Sequence, residues 1–281
     1  MTELDLDMAD GRRLHVYDTG PTDSESLPVF WHHGTPNIGA PPEPLLSAAE
    51  RLGIRWVSHD RPGYGGSDRQ PGRTVASVAA DVAAVAEALR IGRFAVMGHS
   101  GGGAHALACA ACMADRVVAT VCISGLAPLG SDGLDWFDGM PPSGAAELRA
   151  AIEGEESLAN LLAASEFDMA QFTAADMSAL RAEWRWLGQV AELGLKGGPG
   201  GMIDDDIATV GNWGFEPQAV GPPVLFLHGL DDRIVPSSHS RWLAGRLPDS
   251  ELWLRAGDGH ISILNSAESA LDWIAERARQ S

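Results

Sequence analysis

The sequence predicts an α/β fold: a mostly parallel eight-stranded sheet with helices on both faces, interrupted by one helical insertion. Three observations carry that prediction. Short apolar or β-branched runs alternate with segments of helical periodicity from residue 29 to residue 123, the pattern of strands joined by crossover helices. The alternation stops at 126 and resumes after 221. Between them in kind, Gly98-His99-Ser100-Gly101-Gly102 joins the apolar run Phe94-Ala95-Val96-Met97 to an alanine-rich stretch, which is a tight strand-to-helix turn. A chain of 281 residues, 45% hydrophobic, suffices for one large domain with a sizeable core.

The elements follow in order. Residues 4–8 and 12–18 alternate around Asp10-Gly11, which predicts a hairpin. Residues 29–33 form a short buried strand, 45–52 a helix and 54–59 another strand. Residues 75–89 place Val78, Val82, Val85 and Leu89 at helical spacing. The strand 94–97, a helix reaching 113 and the β-branched strand 117–123 complete the first part. From 126 to 221 no segment reads as a strand. Pro128, Pro141 and Pro142 punctuate its opening, helices are predicted over 145–153, 157–166 and 174–193, and Gly197-Gly198-Pro199-Gly200-Gly201 reads as a loop. The strand 224–228, a helix near 238–247, the strand 251–255 and a helix over 262–279 close the chain. Residues 1–125 and 222–281 are therefore expected to form the core domain, and 126–221 a helical cap over a site. No internal repeat or low-complexity tail is visible.

Composition narrows the function. The formal net charge is −18, from 38 acidic and 20 basic residues. Such a surface repels phosphate backbones and anionic headgroups, so nucleic acid and membrane are poor partners and a small-molecule substrate is expected. No apolar run approaches a membrane span. Met1-Thr2-Glu3-Leu4-Asp5 is acidic and alternating, unlike a signal peptide. Three cysteines, Cys109, Cys112 and Cys122, then point to free thiols in a reducing cytoplasm. Cys109 and Cys112 lie one helical turn apart and read as buried packing, and no Cys/His cluster has metal spacing. No cofactor and no metal are expected. The oligomeric state, a homo-oligomer included, stays open.

The chemistry begins at Ser100. Gly98 and Gly102 remove the Cβ atoms that would clash in so tight a turn, which holds the Ser100 hydroxyl out at the sheet edge. A serine is a weak nucleophile until a base takes its proton and a third group orients that base. The strand 224–228 runs into a turn with two carboxylates, Asp231 and Asp232, and the strand 251–255 is followed by Gly257-Asp258-Gly259-His260. Ser, Asp, His is the chain order this architecture uses. As the serine attacks, charge builds on the carbonyl oxygen, and two backbone N–H donors should hold it. Gly101, directly after the serine, supplies one. Thr35, in His33-Gly34-Thr35-Pro36, supplies the other, with Gly34 permitting close approach and Pro36 stiffening the turn.

These residues resemble the α/β-hydrolase superfamily, in its group of capped serine hydrolases. The resemblance rests on His33-Gly34-Thr35-Pro36, Asp60-Arg61-Pro62-Gly63-Tyr64-Gly65-Gly66-Ser67, Gly98-His99-Ser100-Gly101-Gly102, Asp231-Asp232-Arg233-Ile234-Val235-Pro236 and Gly259-His260. It spans nearly the whole chain except the insertion. It implies Ser100 as nucleophile, His260 as base and Asp232, four positions before Pro236, as the acid. Ser124-Gly125-Leu126-Ala127-Pro128, where some relatives carry the acid, holds no carboxylate. The implied activity is cleavage of an ester or lactone through an acyl-enzyme. Carbon–carbon bond hydrolysis, cofactor-free perhydrolysis and a hydrolase-fold ligand-binding protein are the alternatives, since the fold alone does not choose among them. Serine at the elbow sets the chain apart from relatives that attack halides or epoxides, and Gly101 from proline iminopeptidases.

Other residues have plainer readings. His99 supports the elbow, while His32, His59, His105 and His228 pack or hydrogen-bond. His239, in a helix expected to be exposed, is the rival base. Asp204-Asp205-Asp206 read as carboxylates favourable to a helix N-terminus. Trp136, Trp184, Trp186 and Trp213 fall in the insertion, and Trp136 and Trp213 are the candidates for an apolar pocket roof.

Overall fold

The computed structural model describes residues 1–20, 26–165 and 168–280. Strands β1 (Thr2–Asp7) and β2 (Arg13–Asp18) form the antiparallel hairpin turned by Asp10-Gly11, with Leu4 opposite Val16. Then come β3 (Leu27–His32), α1 (Leu46–Arg51), β4 (Ile54–His59), α2 (Val78–Ala88), β5 (Phe94–His99), α3 (Gly101–Cys112) and β6 (Val117–Ile123). After the insertion come β7 (Val224–Gly229), β8 (Ser250–Arg255) and further helices. Among the described residues eight strands form one sheet in the order β1-β2-β4-β3-β5-β6-β7-β8. β3 to β8 run parallel to one another, and β2 joins them antiparallel to β4.

The central parallel strands β5, β6 and β7 are buried on both faces, so they read as nearly unbroken apolar runs, while the edge strand β8 is partly exposed. Their side chains alternate between two cores. Trp31, Trp56, Met97, Val121, Ile123, Leu225 and Leu227 face one layer with Ala48 and Ala49 of α1. Phe30, Val57, Phe94, Val96, Cys122 and Phe226 face the other, with Val78, Val82 and Val85 of α2 and Ala106 and Leu107 of α3. β3 and β4 lie to one side of β5, and β6, β7 and β8 to the other. The carboxyl ends of β3 and β5 thus bound the crevice where the winding direction reverses, and ligands bind at such a crevice.

Among the described residues the stretch between β6 and β7 holds helices and turns only: α4 (Pro142–Glu153), α5 (Glu155–Ala164), α6 (Ala174–Arg181), α7 (Trp186–Leu195) and α8 (Gly200–Val210). The helix predicted over 157–166 is α5; Glu166 lies outside the described residues. Two expectations fail here for identifiable reasons. The helix predicted over 174–193 is broken, because Ala182 leaves helical geometry at φ −114°, ψ −113°. The break turns Trp184, Trp186 and Leu187 into one core layer, and the Trp184 indole N–H donates to Asn265 Oδ1 at 3.0 Å. Of the stretch read as a loop, Gly197 to Pro199 is a loop, but Gly200 and Gly201 start α8. Gly201 lies so close to the Gly63 backbone that a Cβ there would be 2.8 Å from the Gly63 carbonyl carbon. Packing, not flexibility, is why that position is glycine.

The insertion is seated on the sheet edge. Ile38 N–H donates to Val190 O at 3.0 Å, and a Cβ on Gly194 would collide with the Pro36 carbonyl. The chain ends with α9 (Ser238–Ala244) and α10 (Ala267–Gln280), the latter preceded by a 3₁₀ turn at Ser262–Ser266. Cys109 and Cys122 are buried, but Cys112, expected to be buried, is exposed because it closes the last turn of α3.

Candidate active site

Ser100 stands between β5 and α3 at φ 55°, ψ −126°, a left-handed conformation that a side chain adopts only under strain. The turn is held from both sides. Ser100 N–H donates to Ile123 O at 2.8 Å, and Gly103 N–H donates to Ser100 O at 2.9 Å. A Cβ at Gly98 would strike the Gly102 carbonyl, and one at Gly102 would strike the His32 carbonyl. Only glycine at both positions lets β5, β3 and α3 converge, and Ser100 is left partly exposed.

His260 lies in the loop after β8. That loop adjoins the turn after β7 because Gly229 pairs with Arg255 in the sheet. Its Nδ1–H donates to Asp232 Oδ2 at 2.8 Å, leaving Nε2 as the free acceptor. Asp232 Oδ1 accepts from the Ile234 and Val235 amides, each at 2.9 Å. His228 Nε2–H, donating to Val235 O at 2.8 Å, lies 3.3 Å from Asp232 Oδ2. Burial alone would raise the Asp232 pKa; the His260 charge and the hydrogen bonds from His228 and His260 outweigh it and hold the carboxylate well below its usual range. Asp231 is exposed, and its main-chain amide ties the turn to Asp258 O at 2.9 Å. Of the two carboxylates left open by spacing, the one on the imidazole is Asp232.

The loop after β3 closes against the elbow. The Cβ position of Gly34 lies 3.4 Å from Ser100 Cβ, and that of Gly101 lies 3.7 Å from Thr35 N. The Thr35 amide and Gly101 are therefore neighbours beside the serine. His99 does more than support the turn. Its Nε2–H donates to the His260 carbonyl at 3.0 Å, and the two rings are 4.9 Å apart.

The three aspartates before Ile207 are not dipole-pairing groups at a helix start. They sit in the body of α8, buried, and each has a different surrounding. Asp204 pairs with Arg69 at 2.8 Å. Asp205 accepts from Arg61 at 2.7 Å, Arg73 at 2.6 Å, Tyr64 Oη at 2.7 Å and Thr35 Oγ1 at 2.9 Å. Burial would raise its pKa, but Arg61 and Arg73 hold it well below the usual range. Asp206 faces Glu147 instead, and burial followed by that neighbour pushes its pKa well above the usual range. The sequence signal for this hub was present in Arg61 and Tyr64, but nothing local pairs them with a residue 144 positions from the one and 141 from the other.

His239 lies in a buried helix turn, contrary to the expected exposure. Nδ1 accepts from Ala127 N–H at 3.1 Å and Nε2–H donates to Trp136 O at 3.0 Å. Both nitrogens are used in fastening the start of the insertion to α9, so His239 is not a free base. Trp136 packs with Leu126 and Val235 beside the acid loop. Trp213 does not form part of a roof: it is 2% exposed, packs in the layer of Val75 and Val78, and donates to Thr209 O at 2.9 Å. A cleft of about 420 Å³ runs along the outer side of the acid loop past Thr173, Leu230 and Arg233, and Ser100 does not line it. Among the described residues no cluster of His, Cys, Asp and Glu is arranged to hold a metal ion, and no helix is long and apolar enough to cross a membrane.

Known proteins agree with this architecture. The chain is 30% identical over 234 residues to a non-heme chloroperoxidase of Streptomyces lividans, covering 81% of this chain and 82% of the relative. It is also 30% identical over 231 residues to a bifunctional esterase/perhydrolase of Acinetobacter calcoaceticus, covering 81% of each. A thermophilic esterase from Thermogutta terrifontis superposes with a TM-score of 0.70 over 100% of this chain and 99% of that one, at 22% identity, a likeness of fold. Residues 28–267 match the family model described as the alpha/beta hydrolase fold, and the chain belongs to that enzyme family.

Proposed function

We propose that this chain is a serine hydrolase that cleaves an ester or lactone of a small to medium substrate through an acyl-enzyme on Ser100. The observation that carries the reading is the strained Ser100 turn, whose neighbour His99 holds the His260 carbonyl, together with the buried carboxylate on His260 Nδ1. In this reading Nε2 of His260 takes the Ser100 hydroxyl proton as Oγ attacks the carbonyl carbon. Asp232 keeps the useful tautomer and stabilises the imidazolium. The Thr35 and Gly101 amides hold the oxyanion. The imidazolium then gives its proton to the departing alkoxide. Water attacks the acyl-enzyme, His260 takes its proton, and the acid leaves as Ser100 regains its hydrogen.

Residues 126–221 act as the cap, with Trp136 contributing apolar surface near the acid loop. The unpaired Cys109, Cys112 and Cys122 fit a cytoplasmic setting. A second reading draws support from the relative that is an esterase/perhydrolase. Hydrogen peroxide replaces water at the acyl-enzyme, and a peracid leaves instead of the acid. A panel of p-nitrophenyl esters, lactones and carboxylic acids with peroxide separates the two. Hydrolysis of esters or lactones abolished by Ser100→Ala is expected; activity confined to peracid formation supports the second reading, and turnover of none of them overturns both.

A further inference from the structure

Three loops carry the proposed catalytic groups, and one of them is gripped by a carboxylate from the insertion. Asp176, on α6, is 1% exposed. It first serves its own helix: Thr173 N–H donates to Oδ2 at 3.0 Å, and Asp176 N–H donates to Thr173 Oγ1 at 3.1 Å. That reciprocal cap satisfies the helix start. Yet Asp176 Oδ1 accepts three further hydrogen bonds from the loop of His260. Ile261 N–H and Ser262 N–H donate at 2.8 Å each, and Ser262 Oγ–H donates at 2.9 Å. On the other side of His260, Gly259 N–H donates to Ser262 Oγ at 2.7 Å, and a Cβ at Gly259 would collide with Asp176 Oδ2. The residues after His260 are thus held directly by a buried carboxylate 84 positions earlier in the chain, and Gly259 before it is held through Ser262 Oγ.

We propose that Asp176 is a positioning residue for the reaction, setting His260 toward Ser100 from the insertion. This rests on the Ser100–His260–Asp232 reading above. Helix capping does not call for the three extra donors, and charge-assisted bonds to a buried carboxylate are strong and geometrically specific. His260 has two other restraints, Asp232 on Nδ1 and His99 on its carbonyl, and both come from the core. Asp176 is the restraint by which the insertion reaches the base, as Asp205 reaches the Thr35 loop. Gly259 is glycine because the carboxylate occupies the space its Cβ would take. Without Asp176, two buried amides lose their acceptor and the loop must move to satisfy them. A displacement near 1 Å of a reacting group costs about 10²-fold in rate.

The test compares wild type, Asp176→Ala, Asp176→Asn, His260→Ala and the Asp176→Ala/His260→Ala double variant on a p-nitrophenyl ester, with circular dichroism to establish folding. Proton NMR follows the low-field Nδ1–H shared by His260 and Asp232. Asp176→Ala is expected to lower kcat about 10²-fold with KM little changed and to broaden or remove the low-field signal. Asp176→Asn keeps an acceptor at Oδ1 and should recover much of the loss. In the His260→Ala background Asp176→Ala should cost nothing further. A folded Asp176→Ala with near wild-type kcat, or an equal loss with and without His260, overturns the proposal. If Asp176→Ala does not fold, Ser262→Ala carries the test by removing two of the bonds: a several-fold fall in kcat at constant KM is expected, and unchanged kcat overturns it. Fluorophosphonate labelling of Ser100 in wild type reports on the catalytic reading separately, and the NMR comparison stands whether or not that reading holds.

Discussion

Two adjacent carboxylates separate at the residue scale. Asp232 is buried, accepts two amides and meets His260 Nδ1, whereas Asp231 faces solvent. The difference comes from the turn after β7, where successive side chains point different ways. Asp232→Asn leaves the shape but presents an amide that favours the wrong imidazole tautomer, and kcat should fall about 10³- to 10⁴-fold. Asp231→Asn should cost about tenfold or less. Steady-state kinetics of the two purified variants check this, and the reverse order would move the acid to Asp231. Ser100, Gly98, Gly102, Gly34 and His260 were legible one by one, because each marks a turn whose geometry the neighbouring residue types demand. Asp176 and Asp205 were not legible. Each looks like an ordinary helix carboxylate until folding brings its partners across the chain.

The insertion shows how much an element can hide in composition. Helices over 145–153, 157–166 and 174–193 were readable in it, while α8 was not. Its breaks were not, because Ala182 and Gly201 have their conformations chosen by Trp184, Gly63 and other distant contacts. Within it, Asp206 of α8 faces Glu147 of α4; burial raises both carboxyl pKa values, and the Glu147 charge raises that of Asp206 further while the hydrogen bond from Asp206 offsets part of the rise at Glu147. A carboxyl raised in the fold contributes stability below the unfolded value and loses it as pH rises through the folded one. Asp206→Asn removes that titration. The variant's Tm should exceed the wild-type Tm by a margin that grows as pH rises above the ordinary carboxylate range. A margin that shrinks with rising pH would show that the pair is not strained by charge.

For the whole molecule the eight strands and the hairpin were readable from periodicity, and the placing of Ser100, Asp232 and His260 in turns after strands from their motifs; the strand order was not. Long-range register and the packing of the insertion were not. One global property follows from burial. His59 and His99 are held neutral to about pH 3, and His105 and His239 to about pH 4, by burial first of all. His32 and His33 are likewise lowered well below 6.5. In the unfolded chain these imidazoles protonate near pH 6.5, so the unfolded state binds more protons below that point. Each then removes about 1.4 kcal/mol of stability per pH unit as pH falls. Urea unfolding should therefore show stability dropping steeply from about pH 6 downward, before most carboxylates titrate; a flat profile between pH 6.5 and 5 would contradict the burial of these groups as neutral imidazoles. Both halves of the fold bear on one chemical claim, that Ser100 is an activated nucleophile. Its most direct measurement is reaction of the folded protein with a fluorophosphonate, followed by mass spectrometry of the peptide spanning Gly98 to Gly102. The account predicts stoichiometric phosphonylation of Ser100, slowed by orders of magnitude in His260→Ala and absent in folded Ser100→Ala, which also loses about 10³-fold or more of its esterase turnover. An unlabelled Ser100 in wild-type protein, or labelling that His260→Ala leaves unchanged, would contradict it.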